Sequence, residues 1–214
     1  MKKIFLIAVL VLAGITANAQ FYIGGSLGFY ENSEKNKDGK KTGTSYSTFS
    51  IAPEAGYMFS EKMDFGLSYL FSNDGRKSYY NGELGSNTTA KTWGVSPYIR
   101  YSLITFGNFD VLGKLALYFS ENSNEYTSYN SYANYKDKYT YTTFGANLSP
   151  LLFYNFSKHI SIYTQLNFLG LDLSSTTEKS NGSKTGSTST FDFEANTDNI
   201  VTFDQIRIGF VYRF

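Results

Sequence analysis

Eight stretches of alternating apolar and polar residues, links that are short at one end and long at the other, and an export signal ahead of them predict an all-β fold. That fold is an eight-stranded antiparallel up-and-down transmembrane β-barrel. A period of two sends successive side chains to opposite faces of a strand, so each stretch carries one apolar and one polar face. An even number of strands returns both termini to the end with the tight turns.

The leader comes first. Lys2 and Lys3 precede an apolar run of 12 residues, Ile4 to Ile15, and Thr16-Ala17-Asn18-Ala19 closes it with a small-x-small site. The run is too short to span a bilayer as a helix. Residues 1–19 read as a signal peptide cleaved after Ala19, and 20–214 as the barrel domain. Losing the two lysines takes the formal charge from +1 to −1.

The strands follow in order. Phe21, Ile23, Leu27 and Phe29 alternate with Tyr22, Gly24, Ser26 and Gly28. Phe49, Ile51, Pro53, Ala55 and Tyr57 alternate with Ser50, Ala52, Glu54 and Gly56. A third set runs Met63, Phe65, Leu67, Tyr69, Phe71, and a fourth Trp93, Val95, Pro97, Ile99, Tyr101. The fifth has Phe109, Val111, Leu115, Leu117 and Phe119, the sixth Phe144 to Tyr154 by twos. The seventh has Ile160, Ile162, Leu166 and Phe168, and the last Ile206, Ile208, Phe210, Tyr212 and Phe214. Short links fall near 60–62, 102–108 and 155–159; long polar ones are expected near 31–45, 73–88, 121–138 and 174–198. All 3 prolines stand in Pro-x-x-x-Tyr segments, Pro53–Tyr57, Pro97–Tyr101 and Pro150–Tyr154, each just before a short link. Proline cannot donate to a ladder, so bulges or wide pairs are expected there.

Composition narrows the function. There is no cysteine, which excludes disulfides, thiolate metal sites and an acylated cysteine anchor. The near-zero charge argues against nucleic acid as a partner. Mean hydropathy is −0.27, too polar for a bundle of membrane helices, yet charged residues are only 17% and the chain holds 19 Tyr and 19 Phe. The apolar face is aromatic near both strand ends, with Tyr57, Tyr101, Tyr154 and Tyr212 toward the turns and Phe49, Tyr69, Phe71, Trp93 and Phe144 toward the loops. Two aromatic girdles favour a membrane barrel over a soluble lipocalin-like one.

With its export signal, eight amphipathic strands and terminal Tyr212-Arg213-Phe214, the mature chain resembles the small eight-stranded outer-membrane barrels of the OmpA-barrel, OmpX and OmpW group of the porin family. The resemblance implies a place in the outer membrane of a Gram-negative bacterium among lipid and lipopolysaccharide. It also implies that Tyr212 and Phe214 form the signal read by the barrel-assembly machinery. No peptidoglycan-binding domain is expected.

Eight strands leave a lumen that side chains can fill. Glu54, Arg100, Lys114 and Arg207 lie on the polar face, with Asp64 and Asp110 near the short-turn rim. Charges there need partners, because an isolated buried one costs several kcal/mol. Glu54 is expected to bridge Arg207 or Lys114, and Arg100 to find Asp64 or Asp110. Catalysis, cofactors and metals are not expected. The lone histidine, His159, lies in a short link beside Lys158, and no Gly-x-Ser-x-Gly elbow occurs. Gly24-Gly25-Ser26-Leu27-Gly28 sits inside a strand, not ahead of a helix, so it is no phosphate cradle. The third long link repeats Tyr126, Tyr129, Tyr132 and Tyr135. Two readings stay open for it: a contact surface for host protein, glycan or phage, or rings that pack on one another in an extended hairpin. The first functional expectation is therefore a non-catalytic structural and surface-interaction protein with a plugged lumen. The alternative is an OmpW-like narrow channel for small or hydrophobic solutes.

Overall fold

A computed structural model describes residues 21–33, 39, 41–80, 82–130, 133–166, 169–195 and 207–214. The leader, with its cleavage site after Ala19, lies outside the described residues, as do Phe168 and Ile206 of the seventh and eighth expected strands. Ten antiparallel strands appear: β1 Phe21–Asn32, β2 Gly43–Ser60, β3 Met63–Tyr80, β4 Glu83–Phe106, β5 Phe109–Asn130, β6 Ala133–Asn155, β7 Ile160–Gln165, β8 Leu169–Ser180, β9 Ser183–Ala195 and β10 Arg207–Arg213. Each of β1 to β6 pairs with the next, β7 joins β6 to β10, and β10 pairs with β1, so the sheet closes into a ring of eight. A closed ring has no edge of its own, the arrangement a sheet needs in hydrocarbon; outside the ring, among the described residues, β9 pairs with β8 alone.

The ring of eight agrees with the eight strands expected, and two further strands, β8 and β9, continue the sheet from β6. β6 pairs with β7 through Leu151↔Gln165 and with β8 through Leu148↔Leu171. A step of three residues along β6 thus faces a step of six on the other side. The break lies at Pro150, where no N–H is available to hold the ladder. Leu166 N–H bonds the Pro150 carbonyl at 2.9 Å across the break. At Pro53 and Pro97 the ladder is also interrupted, but the register on either side is unchanged: Ile51↔Phe71 resumes as Glu54↔Ser68, and Val95↔Phe119 as Tyr98↔Ala116. Beside Pro97 the Ser96 hydroxyl donates to the Leu117 carbonyl at 2.9 Å, supplying a donor that proline lacks.

The expected long links are largely strand. β3–β4, β5–β6 and β8–β9 run on as ladders well above the outer aromatic girdle, as far as Tyr80↔Glu83, Asn130↔Ala133 and Ser180↔Ser183. Their Ser, Thr, Asn and Tyr residues carry no apolar face, but threonine and tyrosine suit a pleated surface wetted on both sides. Asn181 and Gly182 turn the last hairpin with φ of 48° and 87°, the pair of positive values that a two-residue type I′ turn requires.

The period-two faces behave as membrane and lumen. Outward residues such as Ile23, Leu27, Ile51, Leu67, Ile99, Leu115 and Phe210 are exposed around the belt, while inward Tyr22, Tyr98, Leu151, Phe153 and Val211 are buried. Among the described residues no helix is long and apolar enough to cross a membrane; the crossing is made by strands. At the short-turn end Phe106 stacks on Phe109 at 5.4 Å and Tyr154 meets Phe156 edge-on at 4.8 Å, extending that girdle beyond the four tyrosines.

Candidate functional site: the lumen and the loop end

One buried arginine gathers the charges of the barrel interior. Arg100, 1% exposed, points inward from β4. Its Nε donates to Asp64 Oδ1 at 2.8 Å and its Nη1 to Glu54 Oε1 at 3.1 Å. Three rings surround the guanidinium, Tyr22, Tyr98 and Phe153, at 4.7, 5.1 and 5.2 Å from their centroids. Tyr22 Oη donates to Asp64 Oδ1 at 2.9 Å and lies 2.9 Å from Tyr98 Oη. Phe153 in turn stacks on Tyr163 at 4.8 Å. The rings fit because glycine lies beneath them. A Cβ on Gly66 would stand 2.5 Å from Tyr98 Oη and 2.6 Å from Tyr22 Oη, and one on Gly209 would strike the Tyr163 ring. The same absence of a side chain that weakens a strand leaves room for an aromatic to lie flat against it.

The expected pairings are partly redrawn. Arg100 does reach Asp64, but Glu54 bonds Arg100 and not Arg207 or Lys114. Counting residues from the turns treats strands as vertical. They are tilted and staggered, so the registers set Glu54 opposite Ser68 and Arg100 between Asp64 and Lys114. Lys114 rests its ammonium 4.3 Å over the Tyr98 ring and has no ion pair among the described residues. Arg207 is exposed to the loop-end cavity. Asp110 accepts from Asn155 Nδ2 at 2.6 Å, in a chain that continues through Ser161 to Arg213 Nη1. Arg213 and the ring cage of Tyr22, Tyr98 and Phe153 are absent from the expected network. Their signal is nonetheless present, since Tyr22, Tyr98 and Arg213 all fall on the polar parity of their strands.

Open space lies on both sides of this cluster. Above it a cavity of 310 Å³ is lined by Glu54, Ser68, Lys114, Ser149, Asp172 and Arg207, and an adjoining one of 360 Å³ shares Leu70 and Arg207. At the short-turn mouth a recess of 640 Å³ is bounded by Asp110, Asn155, Lys158 and Arg213. His159 stands at this mouth, its Nδ1 donating to the Arg213 carbonyl at 2.8 Å and its ring stacked on Tyr212. Tyr212 packs against Phe214 at 5.2 Å, and Phe214 N–H bonds the Phe21 carbonyl, tying the last residue to the first strand.

On the β5–β6 hairpin Tyr129 and Tyr135 are exposed, Tyr126 is half-buried, and Tyr132 lies outside the described residues. Among the described rings of this set no aromatic pair forms. Lys136 Nζ and Glu125 Oε2 meet at 3.0 Å on its outer face, and this hydrogen bond and charge hold the Glu125 carboxyl below its ordinary value. Tyr139 donates to Asp137 at 3.1 Å, which raises its phenol.

A closed ring with a lipid-facing belt, two aromatic girdles and a polar lumen defines an integral outer-membrane barrel. The chain matches the outer membrane protein beta-barrel domain family over residues 4–214 and belongs to it. No curated protein matches it. Among solved structures, the translocator domain of the autotransporter NalP from Neisseria meningitidis is 9% identical, covering 96% of this chain and 93% of that one, with a TM-score of 0.51. A major outer membrane protein from Thermus thermophilus is 16% identical over 92% of this chain and 100% of that one, TM-score 0.49. Neisserial surface protein A is 15% identical over 91% and 97%, TM-score 0.43. At such identities the likeness is one of fold.

Proposed function

We propose that this barrel is a non-catalytic surface protein that acts through its loop end while its lumen stays plugged. The observation that carries this reading is the Arg100 cage, in which a cation bonded to Glu54 and Asp64 and enclosed by three rings fills the barrel below the cavity. Above it stand three polar hairpins with the exposed rings of Tyr129 and Tyr135. Tyrosine gives broad contact area at small entropic cost, which suits binding to host protein, glycan or phage. The histidine fits the same reading: His159 spends its Nδ1 on a backbone carbonyl at the short-turn mouth, away from the loops. Purified protein in planar bilayers should show no discrete conductance. Deleting residues 123–137 should abolish attachment to the host surface or phage recognised by the intact protein. Steady conductance together with unchanged attachment would overturn the proposal.

The runner-up is an OmpW-like conduit for small or hydrophobic solutes, favoured by the 310 Å³ loop-end cavity. Uptake of such solutes that survives the loop deletion and rises on widening the cavity would select it.

A further inference from the structure

The outer wall formed by β6, β8 and β9 differs from the rest of the belt. Just at the loop-side girdle it is hollowed by a groove of 470 Å³ between Phe144, Leu173 and Phe191, with Ala146, Ser175 and Ser189 along it. The hollow exists because small residues stand where neighbouring walls carry Leu, Phe or Trp. Outward positions above it follow from the registers. One pleat up are Thr142, Thr177 and Ser187, all hydroxyls; beyond a register shift at Glu178/Lys179 comes Lys179 paired with Lys184, with Lys179 also paired to Thr140 and so diagonal to Lys138. All three lysines are exposed. The turn between β8 and β9 is held against this point by the Asn181 N–H bonding the Lys138 carbonyl at 3.1 Å.

Two ammonium groups directly across a ladder repel, and a third on the diagonal adds to it. No carboxylate stands on the outward face of β8 or β9 between the groove and the turn. Glu178 and Asp192 fall on the inward parity. The nearest outward acid, Glu125, lies across the β5–β6 ladder from Lys138, but its carboxylate is bonded to Lys136. Lys179 is four residues above Ser175, about 13 Å along a tilted strand. An apolar slot at the height of acyl chains, a rim of hydroxyls and a crown of cations without ion-pair partners among the described residues thus follow one another along the membrane normal.

We infer that this wall is a binding site for one phosphorylated acyl lipid of the outer leaflet, with a chain in the Phe144–Leu173–Phe191 groove and its phosphate bridging Lys138, Lys179 and Lys184. The phosphate removes the repulsion that the bare ladder carries, and it is the charge complementarity of crown and headgroup that selects a lipid as the occupant. The site rests on the membrane placement of the barrel alone and does not depend on what the hairpins contact.

Native mass spectrometry of the full barrel released from detergent tests it, with bisphosphorylated lipid A as probe and the same lipid stripped of both phosphates as control. The intact protein should retain one lipid A molecule and hold the stripped form at least tenfold less well. K138Q/K179Q/K184Q should lose that preference, and Ala146→Phe, which fills the groove while keeping the crown, should weaken both forms together. Heat-dependent gel mobility verifies that each variant is folded; the single K179Q serves if the triple is not, with a smaller loss in the same direction. Equal retention of both lipids, or no change on removing the lysines, would overturn the site. Dimer ions that displace bound lipid would also overturn it and give the groove to a second copy of the chain.

Discussion

Arg100 draws the lumenal charges of this barrel into one buried cluster. Its charge is 1% exposed, and its two carboxylates and three rings come from five different strands. Removing one partner of such a group leaves the others buried and unpaired. Arg100→Met should therefore cost about 3–5 kcal/mol, read as a lower denaturant midpoint in detergent. Adding Glu54→Gln and Asp64→Asn should return most of the loss, because no buried charge is then stranded. Both variants should remain non-conducting, since Tyr22, Tyr98 and Phe153 still fill the section. A triple variant as unstable as the single one would mean that packing, not charge, holds the plug. The need for a lumenal network, and its membership by Glu54, Arg100 and Asp64, is legible in the sequence from parity alone. The partners of Glu54 are not, because the pairing depends on stagger between strands, which no single strand encodes.

At the scale of elements, the three prolines divide the barrel's regular and irregular parts. Pro53 and Pro97 interrupt their ladders without altering register, whereas at Pro150 three extra residues enter and the pairing of β6 passes from β7 to β8. The expectation of bulges at these sites follows from the missing N–H. Which of them shifts the register does not, since that is decided by the partner strand's length. Beside Pro97 the Ser96 hydroxyl supplies the Leu117 carbonyl with a donor. Ser96→Ala should lose about 1 kcal/mol, the ordinary net value of such a bond. Pro97→Ala in the same chain should restore it by providing a backbone N–H at that position. If the double variant is no more stable than the single, the hydroxyl is not standing in for the ladder. The hairpins above the girdle read as loops in the sequence because period two is visible only when one face is apolar. Where water lies on both sides, Thr-Ser-Tyr strands look like linkers.

For the whole molecule the deciding fact is which face meets lipid. A soluble barrel and a membrane barrel share the same alternation, and they differ in whether the larger apolar set points in or out. Here Leu67 is 53% exposed at mid-belt while its neighbour Ser68 is buried toward the lumen. A cation placed on the lipid face at the bilayer midplane costs about 2–4 kcal/mol, falling toward zero at the interfaces. Leu67→Arg should thus lower folding stability in lipid vesicles by that amount, whereas Ser123→Arg, outward on β5 but above the girdle, should change it little. The depth dependence is the informative part. A soluble barrel with Leu67 in water would tolerate both arginines alike, and one with Leu67 in its core would be damaged equally in detergent micelles, thin bilayers and thick ones. In a membrane barrel the loss at position 67 should grow with bilayer thickness as the midplane becomes harder for the guanidinium to escape by snorkelling, while position 123 stays flat. Equal responses at the two positions across bilayers of different thickness would contradict the belt on which the placement of both the plug and the outer wall depends.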